Sequence, residues 1–239
     1  SLHASDALKQ RLPELLVSMT GIHSRRFVER GTAPSDLALR AVENMATQHD
    51  IDIQSIDTLI FASTDMDTFE PSTANILQHK LGLGAINSFD LSNACNSFLQ
   101  AINVANSLIS SGASRKTLIA SGEVGSFLIN KTIKDKKDLK VKFGGLTLGD
   151  AGAAMLVESV SPDTYTTTNG NKHGAITEIN NINIAEYWSY CRVPAATDNR
   201  MRNSYTITDC WFYLEFQKLG RTIRKYLPEY FRQYNRYRR

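Results

Sequence analysis

The stretch of residues 86–112 constrains the fold most, because its pattern changes from strand-like to helix-like within a few residues. Up to Ser92 the sequence fits a short strand. Beyond it, apolar residues recur at helical spacing on one face: Phe98, Ile102, Ala105 and Ile109. Gly112 follows the last apolar turn, where a helix commonly ends. The pattern predicts a strand, a sharp turn and a helix, with Cys95 at the turn.

Cys95 is a candidate nucleophile because of where this pattern places it. A thiol in the first turn of a helix lies beside backbone N–H groups and the positive end of the helix dipole, which favours the thiolate. The alternative is simple core packing, since cysteine is among the most often buried residue types. From the residues alone both interpretations stay open.

The flanking sequence alternates between strand-like and helix-like patterns. After a short helical pattern at residues 8–16, interrupted by Pro13, a helix is predicted to start at Pro34. Strands are predicted at residues 58–63, 117–121 and within 151–158, and a further helix at about 72–81. Continuous apolar strands that alternate with helices are typical of a mostly parallel sheet covered on both faces, so the predicted fold class is a layered α/β fold.

Two regions fit this pattern less well. Residues 131–142 mix charges of both signs, which predicts a solvated excursion, with a binding loop as the alternative. Beyond Ser161 we predict a polar linker, a strand at 175–182 and a helix from about Cys210 to Tyr226.

Composition excludes several classes. No apolar run approaches the roughly 18 residues of a membrane span and no basic-then-apolar leader is seen, which predicts a cytoplasmic protein without membrane contact. The three cysteines are scattered, which favours neither a disulfide framework nor a metal site. Residues 81–84 lack the third glycine and the acidic residue of a dinucleotide fingerprint, so no nicotinamide cofactor is expected.

Five segments resemble the β-ketoacyl-acyl-carrier-protein synthase III branch of the thiolase superfamily. They are TGIHSRR at 20–26, FEPSTA at 69–74, DLSNACNSF at 90–98, ASGEV at 120–124 and LGDAGAA at 148–154. Each is short, but their shared order over about residues 20–158 supports the resemblance. It implies a thiolase-like fold and no cofactor.

The resemblance also implies a reaction. Enzymes of this family transfer an acyl group from a thioester, carried by acyl-carrier protein or coenzyme A, to the position of Cys95. They then condense it with a malonyl-type thioester, in fatty acid or related secondary metabolite synthesis. The family's histidine and asparagine for the condensing half-reaction come from the second half of its fold, and no residue of this sequence matches them.

The resemblance places the substrate at Phe69, Asn96, Phe98 and Lys142, in addition to Cys95. It puts Phe69 on a loop that reaches across a homodimer, with packing inside its own subunit as the alternative. Lys142 falls near a phosphate-binding arginine of the family, and a lysine in a solvated loop is the other interpretation.

Two further positions bear on the substrate. The family clamps the adenine of coenzyme A with a tryptophan and an arginine, and Leu15 and Met19 stand there in this chain, so its acyl donor stays open. Glu123 is expected to be a structural or rim carboxylate rather than a general base.

The predicted organisation is a thiolase-like half at residues 1–160, followed by a linker and the start of a second half at 161–239. A truncation, a partial list of a longer chain and a split enzyme completed by another subunit are all compatible with that pattern. The main functional hypothesis is an acyltransferase or condensing enzyme, and the alternative is a non-catalytic or split-subunit thiolase-like partner. From Arg221 onward there are seven Lys/Arg and one Glu, interleaved with aromatics, but nucleic-acid binding by this tail is the least favoured hypothesis.

Overall fold

The computed structural model describes residues 3–159, 176, 178–193 and 213–237, and it divides into two compact units. The first, called the sheet unit, comprises Arg26–Val124 and Asp150–Ile182. The second, called the helix unit, comprises Ser1–Arg25, Gly125–Gly149 and Asn183–Arg239. The predicted division near residue 160 concerns the duplicated family fold and stays a prediction.

In the described part of the chain, the sheet unit has three α-helices and four strands. They are α2 (Pro34–His49), β1 (Thr58–Ala62), α3 (Thr73–Lys80), β2 (Asn87–Leu91), α4 (Ser97–Ser110), β3 (Lys116–Val124) and β4 (Asp150–Glu158). The strand order is β2-β1-β3-β4. β1 pairs in parallel with β2 and β3, whereas β4 is antiparallel to β3. The sheet is therefore mixed, and the predicted α/β class with a mostly parallel sheet is confirmed.

Helices cover both faces of this sheet, as the apolar strands predict. Every residue of β1 is buried, so its alternating side chains serve two cores. Leu59 and Phe61 pack with the buried residues of α2 and α3, whereas Ile60 packs with Ala101 and Ala105 of α4. The predicted apolar face of α4 is present, and Ala101 is added to it.

The helix unit contains α1 (Asp6–Thr20), α5 (Lys136–Lys142), a two-stranded pair of β5 (Cys191–Arg192) with β6 (Tyr213–Leu214), and α6 (Phe216–Tyr237). Its core cluster is built around Leu12, Ile133 and Leu146. Tyr187 and Tyr226 share a hydrogen bond of 3.0 Å between their hydroxyl groups, which ties α6 to the segment before β5.

Three predicted elements differ from the structure. α1 continues through Pro13 to Thr20, although an interior proline removes a donor and crowds the carbonyl one turn before it. Leu12 and Leu16, on either side of Pro13, pack in the core cluster of the helix unit and so support the helix there. Residues 176 and 178–182 form no strand. α6 starts at Phe216 and ends at Tyr237, later than predicted at both ends, and residues 194–212 lie outside the described part.

Candidate active site

Cys95 lies at a tight corner between β2 and α4, as predicted, and its side chain is exposed to solvent. The alternative prediction, that Cys95 is buried and only fills space in the core, is therefore wrong. Ala94, immediately before it, has a φ of 50°, which L-residues other than asparagine and aspartate seldom adopt. The corner thus turns the chain sharply enough to present the thiol at the start of a 14-residue helix.

Hydrogen bonds close this corner from the helix side. Asn96 N–H donates to the carbonyl of Asn93 at 3.1 Å, and Ser97 N–H donates to the carbonyl of Ala94 at 3.0 Å. The Ser97 hydroxyl donates to the same Ala94 carbonyl at 2.6 Å and accepts from Asn93 N–H at 2.8 Å. Ser97 is buried, and its part in the corner is one that sequence reasoning missed.

The other predicted residues at the start of α4 have different surroundings. Asn96 is half-buried and immediately precedes the helix. Phe98 is half-buried and packs against the core cluster under α4, so part of its surface is committed to the fold. Their roles in substrate binding stay predictions.

Phe69 lies on the loop between β1 and α3, and 84% of its surface is exposed. Packing inside its own subunit is therefore not what the structure shows. Two carboxylates anchor the part of this loop that precedes Phe69. Asp65 accepts from Val124 N–H at 3.0 Å, and Asp67 accepts from Ser35 N–H at 2.9 Å.

The end of the same loop is tied to the strand that leads to Cys95. Asp90 of β2 accepts from the N–H groups of Thr73 and Ala74, at 2.8 and 2.7 Å, and so caps the start of α3. Asp90 therefore connects the end of the loop that bears Phe69 to the strand that leads to Cys95, and this fixes their relative positions within the sheet unit.

Glu123 has the structural surroundings that the sequence predicts. One of its oxygens accepts from Ser63 Oγ at 2.8 Å, from Thr64 N–H at 2.8 Å and from Thr64 Oγ1 at 3.1 Å. Nearby, burial raises the pKa of Asp65, and the negative charges of Glu123 and Asp67 raise it further. These carboxylates shape the loop that bears Phe69.

Lys142 belongs to the helix unit and is only 8% exposed, so the prediction of a solvated excursion is wrong at this residue. Its Nζ donates to the carbonyl of Thr132 and to Asp138 Oδ2, both at 2.9 Å. The hydrogen bond from Lys142 holds the pKa of Asp138 below its usual value. Burial of a lysine requires such partners, and its predicted phosphate contact stays a prediction.

Leu15 and Met19 line a cavity of about 390 Å³ in the helix unit. The rest of its lining combines apolar side chains with several cations: Lys137, Leu139, Lys140, Val141, Phe143, Glu215, Gln217, Lys218 and Arg221. Lys142 is not among them. Within the described residues, no group of three or more His, Cys, Asp or Glu side chains could hold a metal ion. None of the described helices combines the length and apolar character needed to cross a membrane.

Residues 89–171 match the family described as 3-oxoacyl-[acyl-carrier-protein] synthase III. Over 152 residues the chain is 32% identical to the β-ketoacyl-[acyl-carrier-protein] synthase III of Azobacteroides pseudotrichonymphae, covering 63% of this chain and 43% of that protein. It is 34% identical over 139 residues to the corresponding protein of Deinococcus deserti, covering 58% and 38%. The chain thus spans less than half the length of these relatives.

Solved structures of the same class are also similar. An OleA variant of Xanthomonas campestris superposes with a TM-score of 0.56 and 27% identity, over 63% of this chain and 47% of that one. The synthase III of Thermus thermophilus gives 0.55 and 30%, over 62% and 44%. An OleA structure with bound lauric acid and lauroyl-CoA gives 0.55 and 28%, over 60% and 45%.

The mixed sheet and the cysteine corner define a thiolase-like α/β chain. Within that class, the chain is similar to the β-ketoacyl-acyl-carrier-protein synthase III proteins over part of their length. The resemblance stated from the five sequence segments is confirmed.

Proposed function

We propose that this chain forms the acyl-accepting part of a synthase III-like condensing enzyme, with Cys95 as the nucleophile. The observation that carries the proposal is an exposed thiol at the strand-to-helix corner, inside the segment that matches the family. The alternative of a non-catalytic partner is not favoured, because the thiol that acyl transfer requires is present and accessible.

The proposed chemistry begins with the Cys95 thiolate and an acyl thioester. The sulfur attacks the thioester carbonyl, and the carbonyl electron pair moves to the oxygen, giving a tetrahedral intermediate. Collapse of this intermediate breaks the bond to the carrier sulfur, which leaves as a thiolate and takes up the proton that Cys95 lost. The product is an acyl-Cys95 thioester, and oxidation states are unchanged. Backbone N–H groups at the start of α4 are suited to hold the negative oxygen.

The second half-reaction is also part of the proposal. The acyl group on Cys95 would be transferred to a carbanion formed from a malonyl-type thioester, in fatty acid or related secondary metabolite synthesis. Support comes from the relatives named as synthase III and from OleA. Asn96, Phe98 and Lys142 are the other residues proposed to contact the substrate.

The test of acyl transfer is the intact mass of the protein after incubation with acyl thioesters. Lauroyl-CoA is a suitable probe, because an OleA structure contains it. We expect one acyl adduct on the wild-type chain and none on Cys95→Ala, whose unfolding should be unchanged because Cys95 is exposed. Cys191→Ala is the matched control and should keep the adduct. An adduct that persists in Cys95→Ala would place the chemistry elsewhere.

A homodimer and a cytoplasmic location complete the proposal. A phenylalanine that is 84% exposed on an anchored loop is suited to insertion into a second copy of the chain. The reducing conditions of the cytoplasm would keep Cys95 as a thiol, which acylation requires.

The dimer is tested by light scattering during size-exclusion chromatography. Because Phe69 makes little contact within its own unit, we expect Phe69→Ser to shift the protein to the monomer without changing its unfolding midpoint. Phe27→Ser, at a position that is 51% exposed in the same unit, is the matched control and should stay dimeric. A wild-type chain that is monomeric at all concentrations would refute the role of Phe69.

A further inference from the structure

Ser97 is buried, with 3% of its surface exposed, and its hydroxyl is used twice within the corner that carries Cys95. It donates to the Ala94 carbonyl at 2.6 Å and accepts from Asn93 N–H at 2.8 Å. The hydroxyl of Ser97, in the first turn of α4, therefore connects that helix to Asn93 on the strand side of the corner.

The Ala94 carbonyl belongs to the same peptide group as the Cys95 N–H. A trans peptide is planar, and its C=O and N–H point in opposite directions. Among the described residues, the one cis bond is Glu70–Pro71, so the peptide between Ala94 and Cys95 is trans. Two donors from Ser97, its N–H at 3.0 Å and its hydroxyl, hold that carbonyl towards α4. They consequently fix the direction of the Cys95 N–H as well.

The second donor also stabilises a strained backbone conformation at Ala94. Ala94 adopts a φ of 50°, in a region that costs energy for a residue with a Cβ atom. A side-chain hydroxyl that bridges residues on both sides of Ala94 stabilises the strained turn.

We propose that Ser97 is a positioning residue for acyl transfer: its hydroxyl orients the Ala94–Cys95 peptide so that the Cys95 N–H faces the oxygen that becomes negative when the thiol attacks. The inference rests on the proposed function of Cys95. It concerns the orientation of the oxyanion donor and not the nucleophilicity of the sulfur.

Two reactions of the same thiol separate these effects. Acylation by lauroyl-CoA passes through a negatively charged oxygen, whereas alkylation by iodoacetamide displaces iodide and forms no such oxygen. Rate constants for both are measured on the wild-type chain, Ser97→Ala and Ser97→Thr. We expect Ser97→Ala to slow acylation about tenfold or more. The rate of alkylation should change less than about twofold, and the pH profile of alkylation should stay the same. Ser97→Thr keeps the hydroxyl and should recover most of the acylation rate.

Ser107→Ala is the matched control, because Ser107 lies on the same helix and its hydroxyl also donates to a backbone carbonyl, that of Asn103 at 2.9 Å. It should leave both rates unchanged. Equal slowing of both reactions by Ser97→Ala, no slowing of acylation, or failure of both Ser97 variants to fold would overturn the inference and leave Ser97 a structural residue. A wild-type chain that is alkylated but never acylated would refute the proposed function itself.

Discussion

Among the described residues, the sheet unit has the larger buried apolar core of the two units. All five residues of β1 are at most 1% exposed, and helices pack on both faces of the strand. In the helix unit, α6 keeps an apolar stripe of Ile223, Leu227 and Phe231, spaced four residues apart, that is 48–53% exposed. The hydrophobic contribution to stability, about 25 cal/mol per Å² of apolar surface removed from water, is therefore concentrated in the sheet unit.

The difference matters for the chemistry because Cys95 lies in the better packed unit. A reactive group works best when the elements that hold it are rigid, and the corner at Cys95 is fixed by β2, α4 and the hydrogen bonds of Ser97. The helix unit instead contains the cavity lined by Leu15 and Met19 and the buried Lys142. Any role of these two features in the reaction would require a ligand to bind there. We therefore expect the same type of substitution to change the free energy of unfolding by different amounts in the two units.

The largest effect is expected where α2 packs directly on the sheet. A Cβ atom added at Gly122 would lie 1.8 Å from the carbonyl oxygen of Pro34, so the backbone of α2 or β3 would have to shift. We expect Gly122→Ala to lower the free energy of unfolding by about 3 kcal/mol or more, because overpacking against backbone is not relieved by side-chain movement. Urea denaturation measures this change.

The control is the same substitution in the helix unit. Gly220 lies in α6, and the nearest atom to an added Cβ would be Arg224 Nη2 at 4.0 Å. Alanine is the better helix former, so Gly220→Ala should stabilise the helix by about 0.5–1 kcal/mol. If Gly122→Ala is tolerated as well as Gly220→Ala, the contrast in packing between the two units is wrong.

The sequence predicts the sheet unit well for a physical reason. β1 is a short continuous apolar run and α4 is a longer segment with one apolar face, so length and periodicity together separate the strand from the helix. The direction of β4 could not be predicted, because its run of small residues followed by larger apolar ones does not show whether it pairs in parallel or antiparallel. The sequence predicts a start of α6 near Cys210, earlier than the observed Phe216, because apolar spacing does not mark where the first helical turn begins.

Some residues of the candidate site can also be predicted from the sequence, and others cannot. Cys95 could be found because a thiol at a strand-to-helix change is visible as a pattern. The part played by Ser97 could not be found, since it depends on two hydrogen bonds within residues 93–97. A signal was present in the polar residue that begins α4, but polar residues at helix starts commonly cap them. The burial of Lys142 could not be predicted, because a charged sequence does not show that one of its lysines bonds to Asp138 and a backbone carbonyl.

The smallest expected effects concern two lysine–aspartate pairs, one in each unit. In the sheet unit Lys80 Nζ lies 2.6 Å from Asp36 Oδ1, and this hydrogen bond is the main reason why the pKa of Asp36 is lowered. In the helix unit Lys142 lowers the pKa of Asp138 in the same way. A carboxyl whose pKa is lower in the folded state contributes stability above its ordinary pKa of about 3.8, and that stability is lost as the pH falls through the folded-state pKa.

We therefore expect Asp36→Asn to be less stable than the wild type at about pH 7, by less than about 1 kcal/mol because the Asp36 side chain is 37% exposed. The difference in stability should narrow as the pH falls below the ordinary carboxyl pKa of 3.8, and Asp138→Asn should show the same direction. Asp65→Asn is the opposing control. Burial raises the pKa of Asp65, so its contribution is present in acid and lost as the pH rises through the folded-state pKa, and the stability of the wild type relative to this variant should increase on acidification. Urea denaturation across this pH range checks all three, and an Asp36→Asn gap that widens in acid would show that Lys80 does not stabilise the ionised carboxylate.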